Sequence, residues 1–377
     1  MLSNPETGKQ YKIAWREGGR LVSGNSTLRV ARLALAFLLL LIPVLDAGCG
    51  AVYRKTADSG PEETVQRESQ HAVKVPEHSS APETTPAPAE SPAPATAAAF
   101  DLEQCVSHTR YLASVIGARE EGSQGEALAS LYIQDRLREY GYAPFEQAFQ
   151  LPRSGLSSLN VVATLAGGDR PQYRLVIGAH MDTRNRTGVC PGANDNATGC
   201  AVLLELARVL KINRRVVPAI DFVFFGAEEI PPEGSPDDHH FGSRHFVALQ
   251  GAGELANIAG MISVDMVGYG SDFHARNMCR APQAMVDLLL GSGRSLGLTY
   301  KQDPEGMSDH EPFETAGIPS VWVESRDDPS IHGPGDTFEH VDFSKVQNAG
   351  LLVQGFLEQF LTPQRVDELI ARPGATS

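Results

Sequence analysis

No basic stripe with interleaved aromatics runs through these 377 residues, and the formal net charge is -14, so a surface built for nucleic-acid phosphates is excluded. The acidic balance alone speaks to solubility, not to substrate. Cysteine is scarce, five in all, and no pair has the C-x-x-C spacing of a thiolate metal site. No internal repeat is visible. The apolar run Leu33 to Leu45 falls short of the ~20 residues needed to cross a hydrocarbon core of ~30 Å.

That run suits the hydrophobic region of an export signal instead. Arg29 and Arg32 precede it, and Asp46-Ala47-Gly48-Cys49 follows. The Ala-Gly-Cys ending resembles a bacterial lipoprotein cleavage box, in which Cys49 is lipidated and becomes the mature N-terminus. One departure is that Leu45 stands four residues before the cysteine, with Asp46 where the large aliphatic belongs. Residues 1–49 are therefore read as an export signal of lipoprotein type. The implied location is a bacterial cell envelope, anchored to the membrane by lipid or by an N-terminal segment, or otherwise periplasmic or secreted. Residues 50–99, rich in Pro, Ala, Glu, Ser and Thr, bury too little to offset the entropy of ordering and read as a disordered tether. The folded domain is expected over 100–363, with a C-terminal tail at 364–377. Cys105, Cys190, Cys200 and Cys279 allow two bridges in three pairings, or serve as small buried or free thiols. A Cys190–Cys200 bridge would brace the loop between them.

After Phe100 the periodicity turns globular. Glu126 to Tyr140 has helical spacing and is closed by Gly141. Strand-like runs at Leu159–Leu165, Arg174–Ala179, Ala219–Phe225, Met261–Val264 and Ser320–Val323 alternate with helical stretches. Those stretches are Thr198–Lys211, Ser243–Leu249, Pro282–Ser292 and Phe343–Phe360. The alternation predicts an α/β layered domain with a largely parallel sheet.

In such sheets ligands bind beyond the carboxyl ends of the strands. His180, Glu228, Glu229 and Asp265 each follow a predicted strand, and His332 follows another after a short loop. His-x-Asp or Glu-Glu alone is commonplace, but their joint occurrence in one register points to a metal site. Zinc accepts imidazole nitrogen and carboxylate oxygen. Asp195, in Gly192-Ala193-Asn194-Asp195-Asn196-Ala197-Thr198-Gly199, is the natural carboxylate to bridge two ions, with Thr198 capping the helix that follows. One ion is expected on His180 and Glu229, the other on Asp265 and His332. Two ions ~3.5–4 Å apart polarise a carbonyl and activate water together. Glu228 is the candidate general base that carries the water's proton to the leaving amine. Asp182 is placed to accept the second imidazole N–H of His180. His239 and His240 read as a polar rim or lid, and Asp309 and His310 as supports of the site.

The chain resembles the co-catalytic zinc exopeptidases of the bacterial leucyl aminopeptidase and aminopeptidase Y type, a group that includes glutamate carboxypeptidase II and glutaminyl cyclases. The resemblance rests on His180-Met181-Asp182, Gly192 to Asn196, Ala227-Glu228-Glu229, Gly242-Ser243, Val264 to Gly268, Ser308 to Phe313, Gly317-Ile318-Pro319 and His332 to Thr337. It implies one three-layer α/β domain with a central mixed sheet flanked by helices, and two Zn2+ ions. The implied ligands are His180, Asp195, Glu229, Asp265 and His332, with Glu228 as base and a cis peptide at Asp195-Asn196. Peptides are the implied substrates, losing N-terminal residues. Ile331 departs from the tyrosine that many members place before the last histidine to stabilise the oxyanion. Carboxypeptidase or dipeptidase activity, glutaminyl cyclisation with one zinc, and a non-catalytic scaffold remain open as alternatives.

Overall fold

Residues Pro218–Phe225 are buried at every position, because alternate side chains enter two different cores. Ile220, Phe222 and Phe224 join one, and Val223 and Phe225 the other. A strand covered on both faces reads as an unbroken apolar run. Its one charged residue, Asp221, accepts hydrogen bonds from Thr164 Oγ1 at 2.7 Å and Arg174 at 3.0 Å.

The computed structural model describes residues 98–371 apart from 187–188, 271–272 and 305–306. It also describes two short antiparallel pairs, Leu2–Ser3 with Gln10–Tyr11 and Arg16–Glu17 with Arg20–Leu21. The chain divides into two units, Met1–Ala93 and Pro94–Ser377, the second of which holds the main sheet, the described helices and the candidate site. The apolar run at Leu33, Cys49 and the tether up to residue 97 lie outside the described residues. Among the described residues no helix is long and apolar enough to cross a membrane.

The strands of the main sheet are β1 (Phe145–Gln150), β2 (Ser157–Leu165), β3 (Arg170–His180), β4 (Pro218–Phe225), β5 (Ile258–Val264), β6 (Phe273–Asn277), β7 (Tyr300–Pro304) and β8 (Ser320–Ser325). They form one eight-stranded mixed sheet in the order β7-β6-β8-β5-β3-β4-β2-β1. The central four, β8, β5, β3 and β4, run parallel, while β2 and β1 close one side antiparallel. The helices are α1 (Leu102–Arg110), α2 (Gln124–Glu139), α3 (Thr198–Asn213), α4 (Phe241–Leu249), α5 (Ala252–Ala256), α6 (Ala284–Ser295), α7 (His310–Thr315), α8 (Phe343–Gly355) and α9 (Pro363–Ala371). Cys105 of α1, Ala129 of α2, Leu203 of α3, Met285 of α6 and Val346 of α8 belong to the larger core. Phe246 of α4 and Phe313 of α7 pack on the opposite face. The expected three-layer α/β domain with a mixed, mainly parallel central sheet is present.

One expectation is corrected. The tail at 364–377 is not all tail, because α9 turns Val366 and Leu369, three residues apart, into the core. Arg170 of β3 fixes its outer side through Asp367 at 2.7 Å. The cysteines Cys105, Cys190, Cys200 and Cys279 are free thiols. Cys200 turns its sulfur to the His180 carbonyl at 3.1 Å, away from any bridge to Cys190.

Candidate metal centre

The site residues expected from the sequence gather at the carboxyl ends of the strands. His180 is the last residue of β3. β4 runs into Gly226 and then Ala227, whose φ of 51° turns the chain so that Glu228 and Glu229 both face inward. Asp265 directly follows β5, before Met266 at φ 54°, and His332 itself has φ 58°. Non-glycine residues in this left-handed region cost free energy and gather where surrounding structure imposes them.

Asp195 sits at the centre. Its Oδ1 lies 3.2 Å from His180 Nε2, and its Oδ2 lies 3.2 Å from His332 Nε2. His180 Nε2 is also 3.3 Å from Asp265 Oδ1, and His332 Nε2 is 3.1 Å from Glu229 Oε2. The shortest contacts therefore group His180 with Asp265 and His332 with Glu229. These contacts differ from the expected pairing of His180 with Glu229 and Asp265 with His332, although His180, Asp195 and Glu229 also bring ligand atoms within 4.8 Å of one another. The reason is strand order: β5, which carries Asp265, lies directly beside β3, which carries His180. The peptide bond Asp195-Asn196 is cis.

The bridge is held by its neighbours. Asn194 Oδ1 accepts from Gly268 N at 2.8 Å, and Asn196 Nδ2 donates to Val264 O at 2.9 Å. Asp336 accepts from the Asn194 and Asp195 amides at 2.6 and 3.0 Å. Thr198 does not cap α3 as expected, since its hydroxyl donates back to Asn194 O at 2.9 Å. The Asn196 side chain serves α3 instead, accepting from Gly199 N at 2.9 Å. Asp182 does more than face His180 Nδ1, which lies 3.5 Å away. Its two oxygens accept the Glu228 and Glu229 amides at 3.0 and 3.1 Å, joining the β3 and β4 turns. Ser308 donates to Asp265 Oδ2 at 2.8 Å.

Two residues that support the site carry no mark in the sequence. Arg119 is fully buried, and its guanidinium donates to the carbonyls of Leu112, Gly117, Met181, Pro191 and Gly192 at 2.7–3.1 Å. Glu126 accepts from Ala227 N at 3.1 Å and Ser158 Oγ at 2.7 Å, and burial pushes its carboxyl up to about 8. Neither stands in a motif or at a strand end, so no local pattern marks them. A third, His240, is not the rim residue expected from its loop. It is 1% exposed, with Nε2 3.0 Å from Glu228 Oε1 and Nδ1 3.1 Å from Glu311 Oε2. Its own φ of 55° and the 2.7 Å hydrogen bond from its amide to Glu228 O fold it back under the base.

Charge is tightly balanced. Burial opposes ionisation of Asp195, but hydrogen bonds from His180 and His332 outweigh it and hold the carboxyl well below its usual range. Burial, and then Asp195, push Glu229 up to about 8. Burial works against a charged His332, yet Glu229 and Asp195 lift it to about 10. Glu229 Oε1 is buried without a hydrogen-bond partner. Carboxylates crowded enough to resist ionisation, an orphaned oxygen and two imidazole nitrogens make a donor set that fits zinc. The cavity they share has a volume of about 150 Å³; His239, His240, Trp322, Met307, Ile331 and Arg184 are among the other residues that line it.

Imidazoles and carboxylates gathered at the carboxyl edge of a mixed, mainly parallel sheet define a class of α/β protein. Within it, residues 160–357, just over half the chain, match Peptidase family M28, and the chain belongs to that family. It is 31% identical over 212 residues to Aminopeptidase YwaD of Bacillus subtilis, covering 52% of this chain and 42% of that protein. It is 25% identical over 288 residues to the Glutaminyl-peptide cyclotransferase-like protein of Mus musculus, covering 67% and 74%. The fold is also that of BSAP, a zinc aminopeptidase from Bacillus subtilis, with TM-score 0.63 and 18% identity, covering 71% of this chain and 96% of that one. This chain thus spans less than half the length of the first of these relatives.

Proposed function

We propose that the chain is a zinc-dependent exopeptidase that removes N-terminal residues from peptides. One observation carries this: Asp195 offers one oxygen toward His180 and Asp265 and the other toward His332 and Glu229, with Glu228 beside them. His180, Asp265 and Asp195 would hold one zinc, and His332, Glu229 and Asp195 the second. When bound, the ions supply Lewis acidity to the scissile carbonyl and make water more acidic.

The protein's own groups do the rest. Glu228 accepts a proton from the attacking water and returns it to the leaving amine. Opposing burial, His180 and His240 hold its carboxyl below the ordinary value. Asp182 fixes the adjacent amides, so the Glu228 and Glu229 carboxylates keep separate directions. Trp322, Met307 and Ile331 present apolar surface to a side chain and limit water in the cavity.

The test is hydrolysis of aminoacyl anilides by the purified protein. Glu228→Ala should keep its zinc and lose activity by ~100-fold or more, whereas undiminished turnover removes Glu228 from the mechanism. Activity should vanish with a chelator and require a free substrate amine. A second reading, cyclisation of N-terminal glutamine, draws on the long alignment with the mouse relative. One bound zinc together with that product would favour it.

The export reading of residues 1–49 supports a companion proposal, a catalyst tethered in a bacterial envelope through lipid on Cys49. Mass spectrometry of the mature N-terminus tests it, and a chain starting at Met1 with unmodified Cys49 refutes it.

A further inference from the structure

A second set of donors lies beside Glu228. His239, His240 and Glu311 each offer a ligand atom within 4.8 Å of the other two. His240 Nδ1 is 3.1 Å from Glu311 Oε2, and His239 Nδ1 is 3.1 Å from His240 Nε2. Donors on a tetrahedral zinc with bonds of ~2.0–2.1 Å stand ~3.3 Å apart; the two short contacts fall on opposite nitrogens of His240, so the His239 ring has to turn toward the Nδ1 side for all three groups to share an ion. Two imidazoles and a carboxylate are a recurrent donor set for a divalent transition metal. Both histidines are buried, at 7% and 1% exposure. The cluster is reachable, since His239 and Glu311 line a cavity of about 450 Å³ together with Met278 and Met307.

The geometry points to a separate divalent-metal site on His239, His240 Nδ1 and Glu311, distinct from the Asp195 centre and taking zinc or an ion of similar softness. Binding through Nδ1 leaves the proton on Nε2, where it is donated to Glu228 Oε1 at 3.0 Å. A metal ligand's outer nitrogen oriented on a carboxylate is the usual way such a ring is fixed. Occupancy of the outer site thus settles the His240 tautomer and the direction of Glu228, linking metal supply to the base.

Equilibrium dialysis of the full chain against micromolar free zinc tests this, with metal counted per chain. The wild-type protein should take one equivalent beyond those of the Asp195 centre. His239→Ala and Glu311→Gln should each lose that equivalent and no other, with melting temperatures showing both variants folded. Glu228→Gln should retain it. Uptake at the Asp195 centre with no additional equivalent overturns this inference and leaves the proposed function standing. So does an additional equivalent that survives both outer-site variants, while its loss in Glu228→Gln would move the ion to Nε2 and overturn the placement. A wild-type chain that binds no zinc at all overturns both readings.

Discussion

His240 is the residue at which a local change should be most informative about Glu228. It touches Glu228 with one ring nitrogen and Glu311 with the other. His240→Ala removes both contacts, and kcat for an aminoacyl anilide is expected to fall ~10-fold or more through lost orientation of the base. His240→Gln, which keeps one donor near Glu228, should recover part of that loss. KM should change little in both variants, and a purely structural role would instead lower stability without this graded kcat. Asp182 illustrates a different kind of residue. Its place two positions after His180 is legible in the sequence, but the two amides it holds belong to another strand's turn. Ligand identities can be read because zinc chemistry and strand ends narrow the choice. Partition of the ligands cannot, since it depends on which strands are neighbours. Arg119 and Glu126 are invisible for the same reason, as the partners that tie them to the site are distant in the chain.

At the level of elements, the 192–197 loop depends on its first residue. Gly192 has φ 61°, and a Cβ there would meet Thr183 Cγ2 at 2.1 Å and Asp195 O at 2.6 Å. Gly192→Ala should therefore destabilise the fold by ~1–3 kcal/mol and weaken zinc binding, as denaturant unfolding and metal competition would measure. The packing of α1 against α2 makes a pH-dependent contribution. His108 is buried with its nitrogens 2.7 Å from Tyr132 Oη and 3.0 Å from Tyr140 Oη. Burial, then Arg136, lowers it from 6.5 to about 3. Between these values the unfolded chain binds the proton and the folded chain does not, so stability falls as pH drops from 6.5 toward 3, by up to ~1.4 kcal/mol per unit. Unfolding at pH 7 and pH 4.5 checks this, and His108→Gln should flatten the difference. The elements themselves are unevenly legible. β4 announces itself by an apolar run interrupted only by Asp221, whereas β6 does not, because it carries a buried Arg276 that is paired with Glu324 at 2.6 Å. β1 at the sheet edge is largely exposed, which blurs the alternation a half-buried strand would show.

For the molecule as a whole, the sheet delivers its ligands from four central parallel strands, and the folded unit is completed by α9 rather than ending at residue 363. The five carbonyls that converge on Arg119 bear on the order in which the site is made. A guanidinium already ties the β3 turn to the 192–197 loop, so the socket is expected to assemble from the polypeptide alone, with metal bound afterwards. Zinc fingers follow the opposite course, with folding and loading as one event. The chelated protein should accordingly keep its far-ultraviolet circular dichroism and the slow hydrogen exchange of β3 and β4. Collapse of both on metal removal would show that the ion helps build its own site. A chain that folds before loading would draw its metal from whatever its surroundings provide.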